Sequence, residues 1–312
     1  MKTLFLIGLI AVLFFIPQLT GATTLSPVII DAKLDPGEAG AYEIRLYNET
    51  NQDLFLEAQV EKFAPQGETG EAKILPPDVA DKSVTWLKLA NNSLVLKPGE
   101  TTLMPLIIQV PKTADVGGYY LALMWKSAPG PKAKQSDQAL IASRVGTLIL
   151  LQVNGQVNQS LEVVDFGLKD NNKFYNSLPI DFFIRLKNTG NVHQRPQSSL
   201  VIKDFLGRTV EILPLNYSSS AILPQTTRIF EANWGESNFQ NILIKQLTNF
   251  RIGRFSAKAI IDYGNNQNIT SEMVYFWIWP WQIFLLMLAV ILLIIIISFK
   301  IKKSKSSKVI QD

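Results

Sequence analysis

Residues 41–48 read AYEIRLYN and show the pattern that much of the chain follows. Tyr42, Ile44 and Leu46 alternate with polar or charged neighbours along it. A period of two with one apolar face is the pattern of a half-buried antiparallel strand. The same alternation recurs at residues 54–60, and both stretches are bounded by turn-forming residues. This part of the chain is therefore predicted to be β-sheet.

On both sides of this stretch, short apolar runs separated by Pro and Gly turns continue as far as residue 153. Such spacing, with turn signals every 8–12 residues or so, is typical of a β-sandwich. Two polar segments, 64–82 and 126–137, interrupt the pattern and are predicted to be loops. Strands are predicted at 26–34, 41–48, 54–60, 84–89, 93–96, 103–110, 117–125 and 145–153.

The sequence after residue 155 predicts a second unit that repeats the first. IRLYN at 44–48 has a counterpart in IRLKN at 184–188, and KPGETT at 97–102 has one in LPQTT at 223–227. The order of these matches predicts two tandem immunoglobulin-like sandwiches, at 23–155 and 156–276. One large irregular β domain is the alternative.

The next segment, residues 277–299, contains no charged residue, and its length suffices to cross a hydrocarbon core of about 30 Å as a helix. Aromatic rings precede it and lysines follow it, which places the chain's C-terminus in the cytoplasm by the positive-inside rule. We therefore predict a single transmembrane helix at 277–299 and a basic cytoplasmic tail at 300–312. The predicted membrane anchors are Trp277, Trp279, Trp281, Lys300, Lys302 and Lys303.

The N-terminus carries the signals of export. Lys2 precedes a short apolar run, Pro17 breaks it, and Thr20-Gly21-Ala22 resembles a cleavage site. We predict a signal peptide at 1–22 and a single-pass cell-membrane protein whose large domain is extracytoplasmic. An uncleaved anchor is the alternative.

Composition excludes several functions. The sequence has 30 basic and 26 acidic residues. Without Lys2, the five tail lysines and Asp312, residues 23–276 hold 24 basic and 25 acidic residues. This part of the chain therefore has no excess of positive charge that would favour nucleic acid. The absence of cysteine and the single histidine, His193, exclude thiol chemistry and soft-metal sites.

No sequence motif points to an enzyme, a cofactor or a metal site. Residues 262–268 are rich in side-chain oxygens, but a hairpin turn explains them better than Ca²⁺ does. Trp86, Trp125 and Trp234 are predicted to pack structurally rather than to stack on sugars.

The turns and strand entries, among them LDPGE at 34–38, KPG at 97–99 and VPKTADVGGY at 110–119, resemble those of the DUF916 family, the peptidoglycan-binding domain of bacterial WxL-interacting proteins. Those proteins share the plan of signal peptide, two immunoglobulin-like domains, one span and a basic tail. The resemblance implies a bacterial envelope protein whose first domain faces the cell wall and whose second domain meets another protein.

We therefore predict a non-enzymatic, membrane-anchored surface protein that binds peptidoglycan or another wall polymer, or surface proteins, through its outer domains. A structural subunit of a membrane, surface-layer or secretion complex, and an adaptor that relays an outer signal, are the alternatives. The predicted ligand contacts are Lys126, Lys132 and Lys134, whose charges would suit an anionic polymer.

Overall fold

The computed structural model describes residues 23–78, 81–127, 144–235, 241–264 and 267–308. The chain divides into two compact units, Met1–Ala64 with Lys73–Val157, and Pro65–Ala72 with Asn158–Asp312. Each is a β-sandwich of immunoglobulin-like type, so the predicted all-β class with tandem sandwiches is confirmed at this level. The predicted signal peptide and residues 128–143 lie outside the described residues.

The first unit packs two sheets face to face. One has the strand order β1-β3-β8-β6 and the other β2-β10-β9-β4-β5, with β7 also paired to β4. The strands are β1 (Thr23–Ser26), β2 (Ile29–Leu34), β3 (Ala39–Asn48), β4 (Leu54–Gln66), β5 (Glu71–Ile74), β6 (Leu87–Leu89), β7 (Ser93–Leu96), β8 (Thr101–Gln109), β9 (Gly117–Ser127) and β10 (Arg144–Val153).

Three local predictions for the first unit are corrected. The strand expected at 26–34 is divided into β1 and β2, which belong to different sheets, and β2 runs parallel to β10. Trp86 does not lie in a strand but ends a short 3₁₀-helix, Lys82–Trp86, that leads into β6. The expected loop at 64–82 contains the end of β4 and all of β5.

The second unit repeats this plan with a three-stranded sheet, β11-β13-β16, and a larger sheet, β12-β19-β17-β14-β15, in which β18 also pairs with β17. Its elements are β11 (Leu161–Leu168), β12 (Phe174–Tyr175), β13 (Ile180–Asn188), β14 (Gln197–Lys203), β15 (Thr209–Pro214), β16 (Thr227–Trp234), α1 (Ile242–Thr248), β17 (Gly253–Asp262), β18 (Asn268–Thr270), β19 (Val274–Ile278) and α2 (Trp281–Lys308).

Alternating residues of the facing sheets form each core, as the period-two pattern requires. In the first unit Leu121, Leu123 and Trp125 of β9 are completely buried. In the second, an aromatic cluster of Phe182, Trp234, Phe255 and Phe276 fills the space between the sheets, with ring centroids 5.4 to 6.1 Å apart. Trp125 and Trp234 are therefore core residues, as predicted.

The internal repeat is visible in two equivalent asparagines. Asn48 ends β3 and Asn188 ends β13, and each exchanges backbone hydrogen bonds with the turn that corresponds to it in the repeat. The turn residues Gly99 and Gln225, whose N–H groups donate to these asparagines, both have positive φ. Conserved geometry across the two copies thus accompanies the sequence match at 44–48 and 184–188.

The C-terminal helix begins at Trp281 rather than at Trp277. Residues 277 and 278 complete β19, whose Phe276 and Ile278 are buried in the core of the second unit. Only Trp279 and Pro280 separate this core strand from α2. Among the described residues, α2 holds the one segment long and apolar enough to cross a membrane, Trp281–Lys300, with a mean hydropathy of 3.1.

Candidate functional site

The second unit contains a cleft of about 730 Å³ at one side of its sandwich. One wall is the outer edge of β11 and the other is β19, which belongs to the opposite sheet. The residues that line it are Asp165, Phe166, Gly167, Leu168, Lys169, Asn171, Lys173, Phe174, Phe183, Met273, Val274, Tyr275 and Trp277.

The β19 wall has an open backbone edge. The N–H groups of Trp277 and Trp279 donate to the carbonyls of Lys173 and Tyr175, at 2.8 and 2.7 Å. Because backbone groups alternate in direction along a strand, those of Tyr275 face the same side. Within the described residues no strand pairs with β19 on that side before Trp277, since β12 is only two residues long.

The β11 wall is open in the same way. Within the described chain β11 pairs only with β13, so its other edge faces the cleft. The register shifts between Val163 and Asp165, and such a bulge twists an edge strand locally. Further along, Gly167 lies opposite Phe183, and a Cβ on this glycine would be 3.3 Å from the ring, so the glycine leaves space for it.

Aromatic side chains dominate the exposed lining. Phe174, Tyr275 and Trp277 are 68%, 45% and 44% exposed, far more than aromatic residues of a core. The guanidinium of Arg254 lies over the Tyr275 ring, 4.1 Å from its centroid, and fixes the ring position. The cleft therefore combines exposed aromatic surface with a stretch of β19 edge that no described strand pairs with.

Charged groups around the cleft are partly neutralised. The Lys169 ammonium lies 2.7 Å from a carboxylate oxygen of Glu231, and this hydrogen bond raises the pKa of Lys169. Tyr175, which follows Phe174 in β12, donates its hydroxyl to Asp170. Burial first, and then this hydrogen bond, raise the pKa of Tyr175, so the phenol stays neutral at physiological pH.

The lysines predicted to contact a ligand are not among the residues that line the cleft. Lys126 lies in β9 of the first unit, where its ammonium contacts Gln59 and is 3.9 Å from a carboxylate oxygen of Glu61. Arg144 also pairs with Glu61. Lys132 and Lys134 lie outside the described residues.

The predicted anchors follow one another through β19 and α2. Trp277 lines the cleft, Trp279 stacks on Phe284 with centroids 5.1 Å apart, and Trp281 is the first residue of α2. Lys300, Lys302 and Lys303 fall within the C-terminal part of α2.

The described residues contain no cluster of three or more His, Asp or Glu side chains suited to a metal ion. His193 is buried at 6% exposure, and the oxygen-rich segment at 262–268 joins β17 to β18, as the predicted hairpin requires.

Sequence reasoning did not find the cleft. It assigned Trp277 to the membrane anchor, and it did not predict β12. No local signal separated a strand from a membrane helix here, because VYFWI at 274–278 is apolar throughout and its alternation of exposed and buried rings exists only in the folded strand. The separation of β11 and β19 by more than 100 residues concealed their proximity.

No family model matches the chain, and no curated protein matches it. The resemblance to WxL-interacting proteins therefore stays a prediction.

Several solved structures are similar. The class 5 fimbriae chaperone CfaA is 13% identical, with a TM-score of 0.41, over 83% of this chain and 100% of that one. The E. coli chaperone DraB is 10% identical, with a TM-score of 0.38, over 81% and 98%. A chain of the CsuC–CsuE chaperone–tip adhesion subunit pre-assembly complex of Acinetobacter baumannii is 12% identical, with a TM-score of 0.35, over 69% and 90%.

The comparison corrects the predicted function. We expected a membrane-anchored protein that binds cell-wall polymer, whereas the similar structures are chaperones of fimbriae and pili. The assignment to cell-wall binding is therefore wrong on this finding and is not retained.

Proposed function

We propose that this chain is a non-enzymatic binding protein that takes up an extended segment of another polypeptide as an added β-strand in the cleft between β11 and β19. The observation that carries the proposal is the open backbone edge of β19 at Tyr275, which faces a cleft lined by exposed aromatic rings. Strand addition to an exposed sheet edge is a recurrent mode of peptide recognition.

The dimensions of the cleft suit this mode. Met273, Val274 and Tyr275 border it ahead of the point where β12 pairs with β19, and three residues of strand span about 10 Å at 3.3–3.4 Å each. The backbone of β19 would supply hydrogen bonds that are independent of the peptide's sequence. Phe174, Tyr275 and Trp277 would select apolar or aromatic side chains at alternate positions of the bound segment.

The same proposal places the protein at a membrane. The apolar segment of α2 would span the bilayer, with both sandwiches on the outer side and the lysine-rich end of α2 in the cytoplasm. A binding cleft would then stand on a strand that continues into the membrane helix within two residues.

The test uses the full-length chain in detergent micelles and a random library of twelve-residue peptides. Peptides that bind should slow amide hydrogen exchange at Tyr275 and in β11, and they should leave the exposed turn at Tyr217 unchanged. Tyr275→Pro removes the outward N–H donor while keeping the backbone extended, so it should abolish binding.

Tyr275→Phe is the matched control, because it keeps the N–H group and the ring and removes only the hydroxyl. It should bind peptide as the wild type does. The proposal fails if no peptide binds, or if Tyr275→Pro and Tyr275→Phe bind equally well.

A further inference from the structure

The short helix α1 buries a polar side chain and exposes apolar ones, which is the opposite of an ordinary surface helix. Its one buried side chain is polar, Gln246, at 1% exposure. Three of its exposed side chains are apolar, Ile242, Ile244 and Leu247 at 40%, 41% and 61% exposed, and Thr248 is exposed beside them. A helix on the surface of a water-soluble domain normally shows the opposite arrangement, with its apolar face toward the core.

Contacts hold α1 beside the start of α2. The side-chain amide of Gln246 donates to the side-chain oxygen of Gln282, one residue into α2. It also donates to the backbone carbonyl of Asn176, at 3.2 Å. The polar side of α1 is thus used to attach it at the β19–α2 junction, and its apolar side remains exposed.

A second apolar projection lies at the same end of the sandwich. Phe205 and Leu206, in the turn between β14 and β15, are 66% and 62% exposed. Asp204 fixes this turn by accepting the N–H groups of Leu206 and Arg208, each at 2.9 Å. A Cβ on Gly253 would be 3.4 Å from the Phe205 ring. Because Gly253 pairs with Ile278, the last residue of β19, the ring lies close to the start of α2.

Basic residues accompany the exposed apolar side chains of α1. No acidic residue occurs from 241 to 261, whereas Lys245 lies in α1 and Arg251 follows it closely. Exposed apolar residues mixed with cations are characteristic of surfaces that lie in the headgroup region of a bilayer, particularly one that contains anionic lipid.

We propose that α1, the Phe205–Leu206 turn and Trp279 form one lipid-facing surface that seats the second unit directly on the outer leaflet. The inference rests on the proposed insertion of α2 in a bilayer, because continuity with that helix is what identifies lipid as the occupant. The surface would hold the end of the sandwich against the membrane and fix the height of the cleft above it.

The absence of cysteine makes a direct test possible, because each variant carries one label. Full-length Leu247→Cys and Phe205→Cys, labelled with an environment-sensitive fluorophore, are placed in phosphatidylcholine vesicles containing phosphatidylglycerol. We expect about twofold or greater quenching by nitroxide lipid at both positions, since interfacial apolar faces are buried roughly 5–10 Å.

Tyr217→Cys is the matched control. Its side chain is 90% exposed and belongs to the turn at the opposite end of β14, about 20 Å from Phe205 along the strand. Its label should not be quenched by nitroxide lipid. Leu288→Cys, in the middle of the apolar segment of α2, reports whether that helix is inserted.

The outcomes are distinct. Quenching at Leu288 with none at Leu247 and Phe205 would overturn the lipid-facing surface and leave the membrane anchor intact. A lack of quenching at Leu288 would overturn both. Labels at Leu247 that are shielded from water but not reached by nitroxide lipid would show that a protein covers α1, and that result also overturns the proposal.

Discussion

At the residue scale, the two repeat asparagines show how single side chains organise a sandwich. Asn188 is fully buried and its side-chain nitrogen donates to the carbonyls of Val192 and Ile222, both at 2.8 Å. Its side-chain oxygen accepts the N–H of Gly190 at 2.9 Å. Asn48 makes the equivalent bonds in the first unit, to Gln52 and Leu96. One amide group therefore satisfies several buried backbone groups at each site.

Asn188→Ala should lower the free energy of unfolding by about 2–4 kcal/mol, because it leaves buried carbonyls without donors. Urea unfolding of the fragment 23–280, followed by circular dichroism, measures the loss. Asn233→Ala is the control, since Asn233 makes a single exposed side-chain bond to Asp181 and should cost less than about 0.5 kcal/mol. Equal effects of the two changes would contradict this account.

A second residue-scale prediction concerns pH. Asp81 caps the 3₁₀-helix by accepting the N–H of Ser83 at 2.9 Å and pairs with Lys62. The hydrogen bond from Lys62 and the cap lower the pKa of Asp81 from 3.8 to about 2. Since the folded pKa is depressed, the stabilisation is complete above pH 3.8 and is lost as the pH falls through about 2.

Asp81→Asn should therefore lower the free energy of unfolding at pH 7 by about 1 kcal/mol, after solvent screening of this partly exposed pair is taken into account. The difference from the wild type should shrink between pH 4 and pH 2, as measured by urea unfolding across that range. Asp53→Asn, at an exposed position, is the control and should show no such trend. A difference that stays constant down to pH 2 would refute the linkage.

At the element scale, β9 is the central strand of the larger sheet in the first unit, and it pairs with β4 and β10. Its inward residues Leu121, Leu123 and Trp125 are all fully buried. A strand that is covered in this way tolerates no charge at an inward position, because burial of an unpaired carboxylate carries a large desolvation cost.

Leu121→Asp should thus destabilise the first unit by several kcal/mol, or prevent its folding. Leu103→Asp is the matched control, because Leu103 lies in β8 with half of its surface exposed. Thermal unfolding of the two variants compares them directly. An unchanged melting temperature in Leu121→Asp would show that this register of β9 is incorrect.

At the scale of the whole molecule, the proposed orientation can be tested with single cysteines. Tyr217→Cys should react with a membrane-impermeant thiol reagent in intact cells, because the proposed topology puts the sandwiches outside. Ser304→Cys, among the lysines that follow the apolar segment, should react only after the membrane is permeabilised. The reverse pattern would invert the topology, and labelling of both sites in intact cells would exclude a span.

Sequence alone was sufficient for the class and for the positions of many strands along the chain, because residues such as Ile44 and Leu46 obey a local period of two. It was insufficient where the outcome depends on distant partners. The division of residues 26–34 between two sheets depends on hydrogen bonds to β10, more than 100 residues away. The cleft likewise requires β11 and β19 to meet. Trp277 was assigned to a membrane helix because its apolar neighbours are the same in either structure, and only pairing with β12 and β17 places it in a strand.

The join between β19 and α2 also has a mechanical consequence. β19 is hydrogen-bonded to β17 along its length, and just two residues connect β19 to α2. The connection between β19 and α2 is therefore too short to extend under load. A pull on a captured segment, directed along β19, would load these hydrogen bonds in shear, and they would share the force rather than open one after another. The sandwich would then transmit the tension directly to the bilayer, whereas a flexible linker would extend and absorb it.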